Sequence, residues 1–254
     1  METLLQPLLQ PFNLFALSIF AALLAWERLA PARRLPAVKG WALRATVSIF
    51  AYFVLSSYLP LLWTAHLFQF QLFDLSHLDT WQGTIVGLLV YHALAYAWHR
   101  ALHGSSAMWL GFHQMHHSAE RLEANSAMYF SPMDMLGWIG VASVALTLVV
   151  GLSPGATTAT LLIATFLALF THTNVRTPRW LGYLIERPES HSWHHARGSH
   201  RYNYSEIPLF DMLFGTFRNR KDFAPEAGFY DGASSKVGAM LAFRDVSTPV
   251  ADRT

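Results

Sequence analysis

Apolar residues along this chain gather into five runs, Phe12 to Ala30, Leu43 to Trp63, Gly83 to Trp98, Met135 to Gly151 and Ala156 to Thr171. A helix needs ~20 apolar residues to cross ~30 Å of hydrocarbon. The first two runs meet that length. The last three are marginal and predict helices that tilt little, thin the bilayer or re-enter it. Between the last two, Gly151, Leu152, Ser153, Pro154 and Gly155 break the helix and reverse the chain, so the pair reads as a hairpin. The expected fold class is all-α: an integral membrane bundle of four to five helices with a cytosolic helical cap that carries the histidine motifs. Neither an internal repeat nor a low-complexity tract interrupts it. Residues 1–233 read as a single domain with its core at about 85–220, and 234–254 as a polar, small-residue tail expected to be poorly ordered.

Composition agrees with the pattern. At 53% hydrophobic and 13% charged, the chain falls well below the ~25% charged residues of soluble domains. The net charge of +2 brings no basic stripe with interleaved stacking aromatics, so nucleic acid is excluded as a partner. Position matters more than the sum. Arg28, Arg33, Arg34, Lys39 and Arg44 flank the first connection, whereas Thr64 to Gln82 holds no Lys or Arg. The excess of positive charge puts the first connection in the cytoplasm, the N-terminus outside and the C-terminal half inside. Trp26, Trp41, Trp63, Trp81 and Trp98 lie at run ends, as interfacial anchoring requires. With no Lys or Arg ahead of it, the first run reads as a retained helix rather than a cleaved signal.

The chain has no cysteine and thirteen histidines. Disulfides, thiolate-bound zinc and all-thiolate iron–sulfur clusters are therefore excluded. The histidines group as His99-x-x-x-His103, His113-x-x-His116-His117, a lone His172, and His191-x-x-His194-His195. Residues three or four apart share a helix face, so two imidazoles converge on one ion, and the extra adjacent histidine lets one short helix serve two neighbouring ions. All four groups meet at one membrane face. Imidazoles without thiolate or carboxylate suit Fe, Zn, Cu or Ni, not Mg or Ca, and nine are too many for one ion. A zinc protease is disfavoured, because Arg100 stands where H-E-x-x-H needs its glutamate. His66, His77 and His200 read as ordinary surface or core residues.

From about Tyr91 to Phe217 the chain resembles the fatty acid hydroxylase superfamily, also called the sterol desaturase family, of membrane non-haem di-iron oxygenases. The residues that carry the resemblance are Tyr96-Ala97-Trp98-His99-Arg100-Ala101-Leu102-His103, His113-Gln114-Met115-His116-His117-Ser118, His172-Thr173-Asn174, Pro188-Glu189-Ser190-His191-Ser192-Trp193-His194-His195, Asn203-Tyr204 and Phe210-Asp211 through Phe214-Gly215-Thr216. It implies two Fe ions held by His99, His103, His113, His116, His117, His172, His191, His194 and His195, with O2 as co-substrate and no catalytic residue beyond the ligands. This sequence departs from the pattern twice: His92 stands where many members have aspartate, and Tyr129-Phe130-Ser131-Pro132 replaces R-x-H-P, so one usual histidine is absent. His92 reads as a tenth ligand, an outer partner of the ligands or a pore-facing polar residue, the outer partner being preferred.

The implied reaction is O2-dependent hydroxylation, or desaturation, of a C–H bond in a lipid: a fatty acyl chain, sterol or related isoprenoid. Outer residues should fix the imidazole tautomers. Glu120, Asn125, Asn174, Glu189, Asn203 and Asp211 are candidates, and the resemblance favours Asn174, Asn203 and Asp211. Ser118 reads as a helix cap. Trp109, Phe112, Met115, Met128, Tyr129, Phe130 and Trp193 are candidate walls of a substrate passage. Without a dinucleotide fingerprint or a haem domain, electrons should come from an external donor of ferredoxin or cytochrome type, with Arg218, Arg220 and Lys221 as a docking patch. The expected location is a bacterial inner membrane. The competing readings are a bis-histidine haem electron-transfer protein and a zinc-stabilised, non-catalytic lipid-binding protein.

Overall fold

Five long helices follow the apolar runs: α1 Pro11–Leu29, α2 Trp41–Phe68, α3 Thr80–Gly104, α4 Pro132–Ser143 and α5 Pro154–Thr171. The structure is a computed structural model that describes residues 5–249. Serine followed by proline opens both α4 and α5. The hydroxyls of Ser131 and Ser153 accept the N–H groups of Asp134 at 3.2 Å and Ala156 at 3.4 Å. Each serine satisfies a donor that the first turn leaves free, and proline at the first helical position loses no hydrogen bond. Past Ser143, α4 continues as a π-helical segment, Val144–Val149.

By length and apolar composition, α1, α2, the run Pro132–Val149 and α5 are each able to cross a membrane. At 25 residues α3 is long enough, but Gln82, His92 and the histidines of its last turns make it less apolar than these four. It extends beyond the expected Gly83 to Trp98 at both ends. Asp79 caps its start by accepting the Gln82 N–H at 2.9 Å, and its last turns are held inside the cap. The turn between α4 and α5 lies where the glycines and proline placed it. Val150–Gly151 there pairs in parallel with Phe73–Asp74.

Small residues set the depth at which α3 and α5 meet. A Cβ on Gly83 would lie 2.7 Å from the Ala156 Cβ, and one on Gly87 would lie 2.5 Å from the Thr160 hydroxyl. Such pairs let helix backbones approach closely within a membrane. Both helices run the same way, and the spacing from Gly83 to Ala156 equals that from Gly87 to Thr160. Twelve residues further, about 18 Å along each axis, the same offset pairs His99 with His172. The glycine contact thus delivers the two histidines to one level.

The cap covers the C-terminal ends of α1, α3 and α5 and the N-terminal ends of α2 and α4. It contains the helical run 106–117, α6 Pro188–His194 and α7 Leu209–Leu213. Glu27 at the end of α1 ties the bundle to it, accepting the N–H groups of Ala124 at 2.9 Å and Asn174 at 3.2 Å. The stretch expected to be a poorly ordered tail is, through residue 249, folded onto the cap. Ser234 is fully buried, its N–H meets Glu120, and its carbonyl accepts the Tyr129 hydroxyl at 2.6 Å. Further along, Gln114 bonds the backbone of Arg244 and Val246. Small side chains read as disorder in composition, but here they expose backbone groups to buried partners. Residues 1–4 and 250–254 lie outside the described residues.

Candidate metal centre

The nine motif histidines converge in two adjoining groups. His99, His103, His113, His117 and His194 form one, and His116, His172, His191 and His195 the other; within each group the nitrogens lie within 4.8 Å of one another. The two H-x-x-H-H motifs divide in opposite senses. The first sends His113 and His117, one helical turn apart, to the five-histidine group and His116 to the other. The second sends His191 and His195 to the four-histidine group and His194 to the first. A π-helical turn, Trp109–His113, leads into the first motif, the kind of local distortion that recurs at functional sites. His117 and His195 stack across the boundary, ring centroids 4.2 Å apart.

Outer partners fix which nitrogens point inward. The Nδ1 of His99 lies 2.8 Å from the Tyr204 carbonyl, that of His194 2.8 Å from the Tyr202 carbonyl, and that of His172 2.9 Å from the Ala168 carbonyl. A carbonyl only accepts, so each Nδ1 carries the proton and each Nε2 is a bare lone pair. The Asp134 carboxylate takes the Nδ1 proton of His113 at 2.8 Å. The Nε2 atoms then face one another: His99 to His113 and to His194 at 3.0 Å, His172 to His191 at 3.1 Å and to His116 at 3.2 Å, His191 to His195 at 3.2 Å. At His99, His113 and His194, whose Nδ1–H groups are tied outward, lone pairs so arranged repel unless a cation lies between them. The Nδ1 atoms of His116, His191 and His195 have no hydrogen-bond partner among the described residues, so nothing outside the cluster fixes those tautomers. The donor set therefore fits metal ions, and all-imidazole ligation fits a transition metal.

Electrostatics point the same way. Burial, reinforced by the neighbouring imidazoles, holds the pKa values of His116, His117, His191, His194 and His195 well below the usual 6.5. Neutral imidazoles keep their lone pairs for a metal. Glu186, whose carboxyl is pushed well above 4.5 by burial and then by Asp211, lies 3.5 Å from the His191 Nδ1.

The outer residues differ from those expected. Asn174 and Asn203 spend their side chains on backbone, at Arg33 and Arg218. Asp211 accepts the N–H groups of Tyr204 and Ser205, both at 2.9 Å, and so supports His99 only through the Tyr204 carbonyl. Glu189 pairs with Arg187 and Glu120 with the backbone of Gly232 and Ser234, while Asn125 lies in a groove between α1 and α2. His92 joins neither group: its Nδ1 meets the Leu88 carbonyl at 2.8 Å and its Nε2 faces Glu206 at 3.7 Å. The Ser118 hydroxyl donates back to the Met115 carbonyl instead of capping.

Sequence reasoning missed Asp134 and His200. The second, read as an ordinary histidine, sits with its Nδ1 3.2 Å from that of His117 and its ring against Trp109. One strap, 200–204, thus holds three histidines of the first group: His117 through His200, His194 through Tyr202 and His99 through Tyr204. Tyr202 and Asn203 adopt positive φ, 69° and 53°, where asparagine is tolerated and tyrosine is strained. Gln114 was also missed. Its amide locks the helix between His113 and His116 to the 244–246 stretch.

Of the expected wall residues, Trp109 packs on His103 and His117, and Phe130 packs on His116 with centroids 4.8 Å apart. On its other side Phe130 meets Tyr52 at 5.8 Å. Tyr52 and Met128 line an apolar cleft of about 280 Å³ between α1, α2, α4 and α5. Phe112 packs against Trp98, Met115 and Tyr129 belong to the cap core, and Trp193 donates to the Asp222 carbonyl.

A bundle of helices able to cross a membrane, capped by clustered, buried imidazoles that could hold metal ions, has the architecture of a histidine-rich membrane protein. Residues 84–216, just over half of the chain and including all nine histidines, match the model of the fatty acid hydroxylase family, and the chain belongs to that family. It is also 33% identical over 145 residues to the ornithine lipid hydroxylase OlsE of Rhizobium tropici, a match covering 53% of this chain and 41% of that protein. The chain therefore spans less than half the length of this curated relative. No solved structure matches it.

Proposed function

We propose that this chain is an O2-dependent di-iron oxygenase that hydroxylates a C–H bond of a membrane lipid. The carrying observation is the convergence of nine imidazoles in two groups, with the inward lone pairs of His113 and His194 each 3.0 Å from that of His99. His99, His103, His113, His117 and His194 would hold one iron, and His116, His172, His191 and His195 the other. Bound iron supplies the activation of O2 that attack on an unactivated C–H bond requires and that no acid–base group provides. The protein's part is to fix the imidazoles, with Asp134 and the Tyr202, Tyr204 and Ala168 carbonyls holding their protons outward. Phe130 closes the histidine cluster on the side of the bundle, whereas beside Trp109 an open polar pocket of about 610 Å³ reaches His103.

Similarity to an ornithine lipid hydroxylase favours hydroxylation over desaturation. A haem reading is disfavoured by packing, because imidazole centroids 4.2–5.5 Å apart leave no slot for a macrocycle. We place the cap in the cytosol of a bacterial inner membrane, with the N-terminus outside, from the Lys and Arg asymmetry. Electrons would arrive from a ferredoxin or cytochrome docking there. Arg218 lies over the Tyr202 ring and Arg220 over the Trp193 ring, close behind His194.

The test is metal analysis of protein purified from its source, joined to lipid mass spectrometry under 18O2. About two irons per chain, no Soret band and a lipid gaining one 18O atom are expected. Zinc in place of iron, or a product lacking the label, overturns the reading.

A further inference from the structure

The apolar cleft has a polar continuation. At Phe20 it adjoins a second groove of about 810 Å³ between the C-terminal end of α1 and the N-terminal end of α2, and Phe20 lines both. Arg28, Arg33, Arg34 and Arg121 line this second groove. Two of them are already engaged: Arg121 with Glu123, and Arg33 with the Ala224 carbonyl and the Phe223 ring. Arg28 and Arg34 are exposed, and among the described residues neither guanidinium makes a hydrogen bond or a close salt bridge, Arg28 acting on its neighbour Glu27 only through the field of its charge. Of the two acids there, Glu123 is spent on Arg121 and Trp41, and Glu27 on the Ala124 and Asn174 N–H groups. The groove thus keeps a net positive charge at the level where headgroups lie.

A greasy cleft that opens into an arginine-lined groove has the polarity of one amphiphile. The Arg28 end is about 12 Å from Phe20, eight residues along α1, the scale of a headgroup and glycerol-like linker. Asn174, two residues beyond His172, lines the groove, and Met128 brings the cleft beside Phe130 and His116.

We infer that the groove and cleft together seat a membrane lipid whose headgroup is net negative, with its uncompensated phosphate or carboxylate on Arg28 and Arg34 and its acyl tail past Phe20. The substrate class is then an acidic acyl lipid, not a sterol or carotenoid, which has no anion to offer. This rests on the reading of the histidine centre as a lipid oxygenase, whereas the binding itself does not.

The experiment compares thermal unfolding of the purified protein in neutral detergent with phosphatidylglycerol, phosphatidylcholine or inorganic phosphate added, for wild type and for Arg28→Gln/Arg34→Gln. Phosphatidylglycerol at a hundredfold excess over half-saturation raises the wild-type midpoint by about 4 °C or more. The double variant loses at least half of that rise, and the other two additives give little. Equal shifts from phosphatidylcholine, a shift reproduced by free phosphate, or an undiminished shift in the double variant overturns the seat. An oxidised product without an acidic group overturns the substrate class. Iron content of the same samples reports separately on the centre: a specific lipid shift without iron sinks the oxygenase reading and leaves the seat standing.

Discussion

Replacing Asp134 by alanine removes the outer partner of His113 and nothing that touches a lone pair directly. The carboxylate and the imidazole are both buried, 0% and 1% exposed, and meet at 2.8 Å. Two routes give the size of the effect. A hydrogen bond involving a charged group contributes a net ~1.5–3 kcal/mol. Loss of an outer partner of a metal-binding histidine typically costs about 10- to 100-fold in metal affinity, which converts to about 1.4–2.8 kcal/mol. The two agree, so Asp134→Ala should weaken iron binding by about 10- to 100-fold. Asp134→Asn should fall between, because the amide oxygen still accepts the Nδ1 proton without the charge. The assay is competition of the iron-loaded protein against a chelator, read as retained iron per chain. Unfolding of the metal-free protein serves as control: its midpoint should stay within about 2 °C for Asp134→Asn, because the amide oxygen still accepts the His113 Nδ1–H. Alanine and wild-type proteins retaining iron equally would refute the assignment of Asp134 as the group that orients His113.

His200→Ala should weaken iron retention by about tenfold with the iron-free midpoint unchanged. His200→Gln, able to accept from the His117 Nδ1, should restore part of it, and equal retention by all three proteins removes His200 from the site. Gly87→Val drives a side chain into Thr160 and should lower the thermal midpoint by roughly 2–10 °C, following an overpacking cost of about 1–3 kcal/mol. Iron should fall in both groups, since His99 and His172 part together; an unshifted midpoint with full iron would contradict the packing. Burial pushes the Glu206 carboxyl up to about 7 from 4.5. Between those values the folded chain keeps a proton that the unfolded chain has lost, so this group's contribution falls as pH rises through that window and levels off above it. Glu206→Gln should therefore unfold at a higher temperature than wild type at pH 8 but not at pH 4, by an amount of order 1–3 kcal/mol. The same difference at both pH values would show that charge is not the cause.

The helices and the nine histidines were legible because both are written in residue identity at helical spacing. Asp211 was legible too, but its mode of action was not. It acts through the N–H groups of Tyr204 and Ser205, and a carbonyl such as that of Tyr204 or Tyr202 has no letter of its own. Asp134 stands in the first turn of α4, just after Ser131 and Pro132, where nothing in the sequence marks it, and only the path of α4 past the cap turns it toward His113. The division of the histidines into two groups was legible in outline, since H-x-x-H-H offers two directions; which histidine goes which way depends on the meeting of two short helices far apart in sequence. The pairing of Gly83 and Gly87 with Ala156 and Thr160 escaped for a simpler reason, small residues four apart being common in any membrane helix.

That pairing also acts as a ruler. One residue inserted in α5 between Thr160 and His172 would advance His172 by about 1.5 Å and swing it by about 100° around the axis, taking its imidazole out of the group. A compensating insertion in α3 between Gly87 and His99 would restore the level. Lengthening before Gly83 or between Phe68 and Asp79 would displace nothing in the cap. Length variation among relatives of this chain should therefore collect on the face of the membrane opposite the histidines, with the inner halves of α3 and α5 changing length only as a pair.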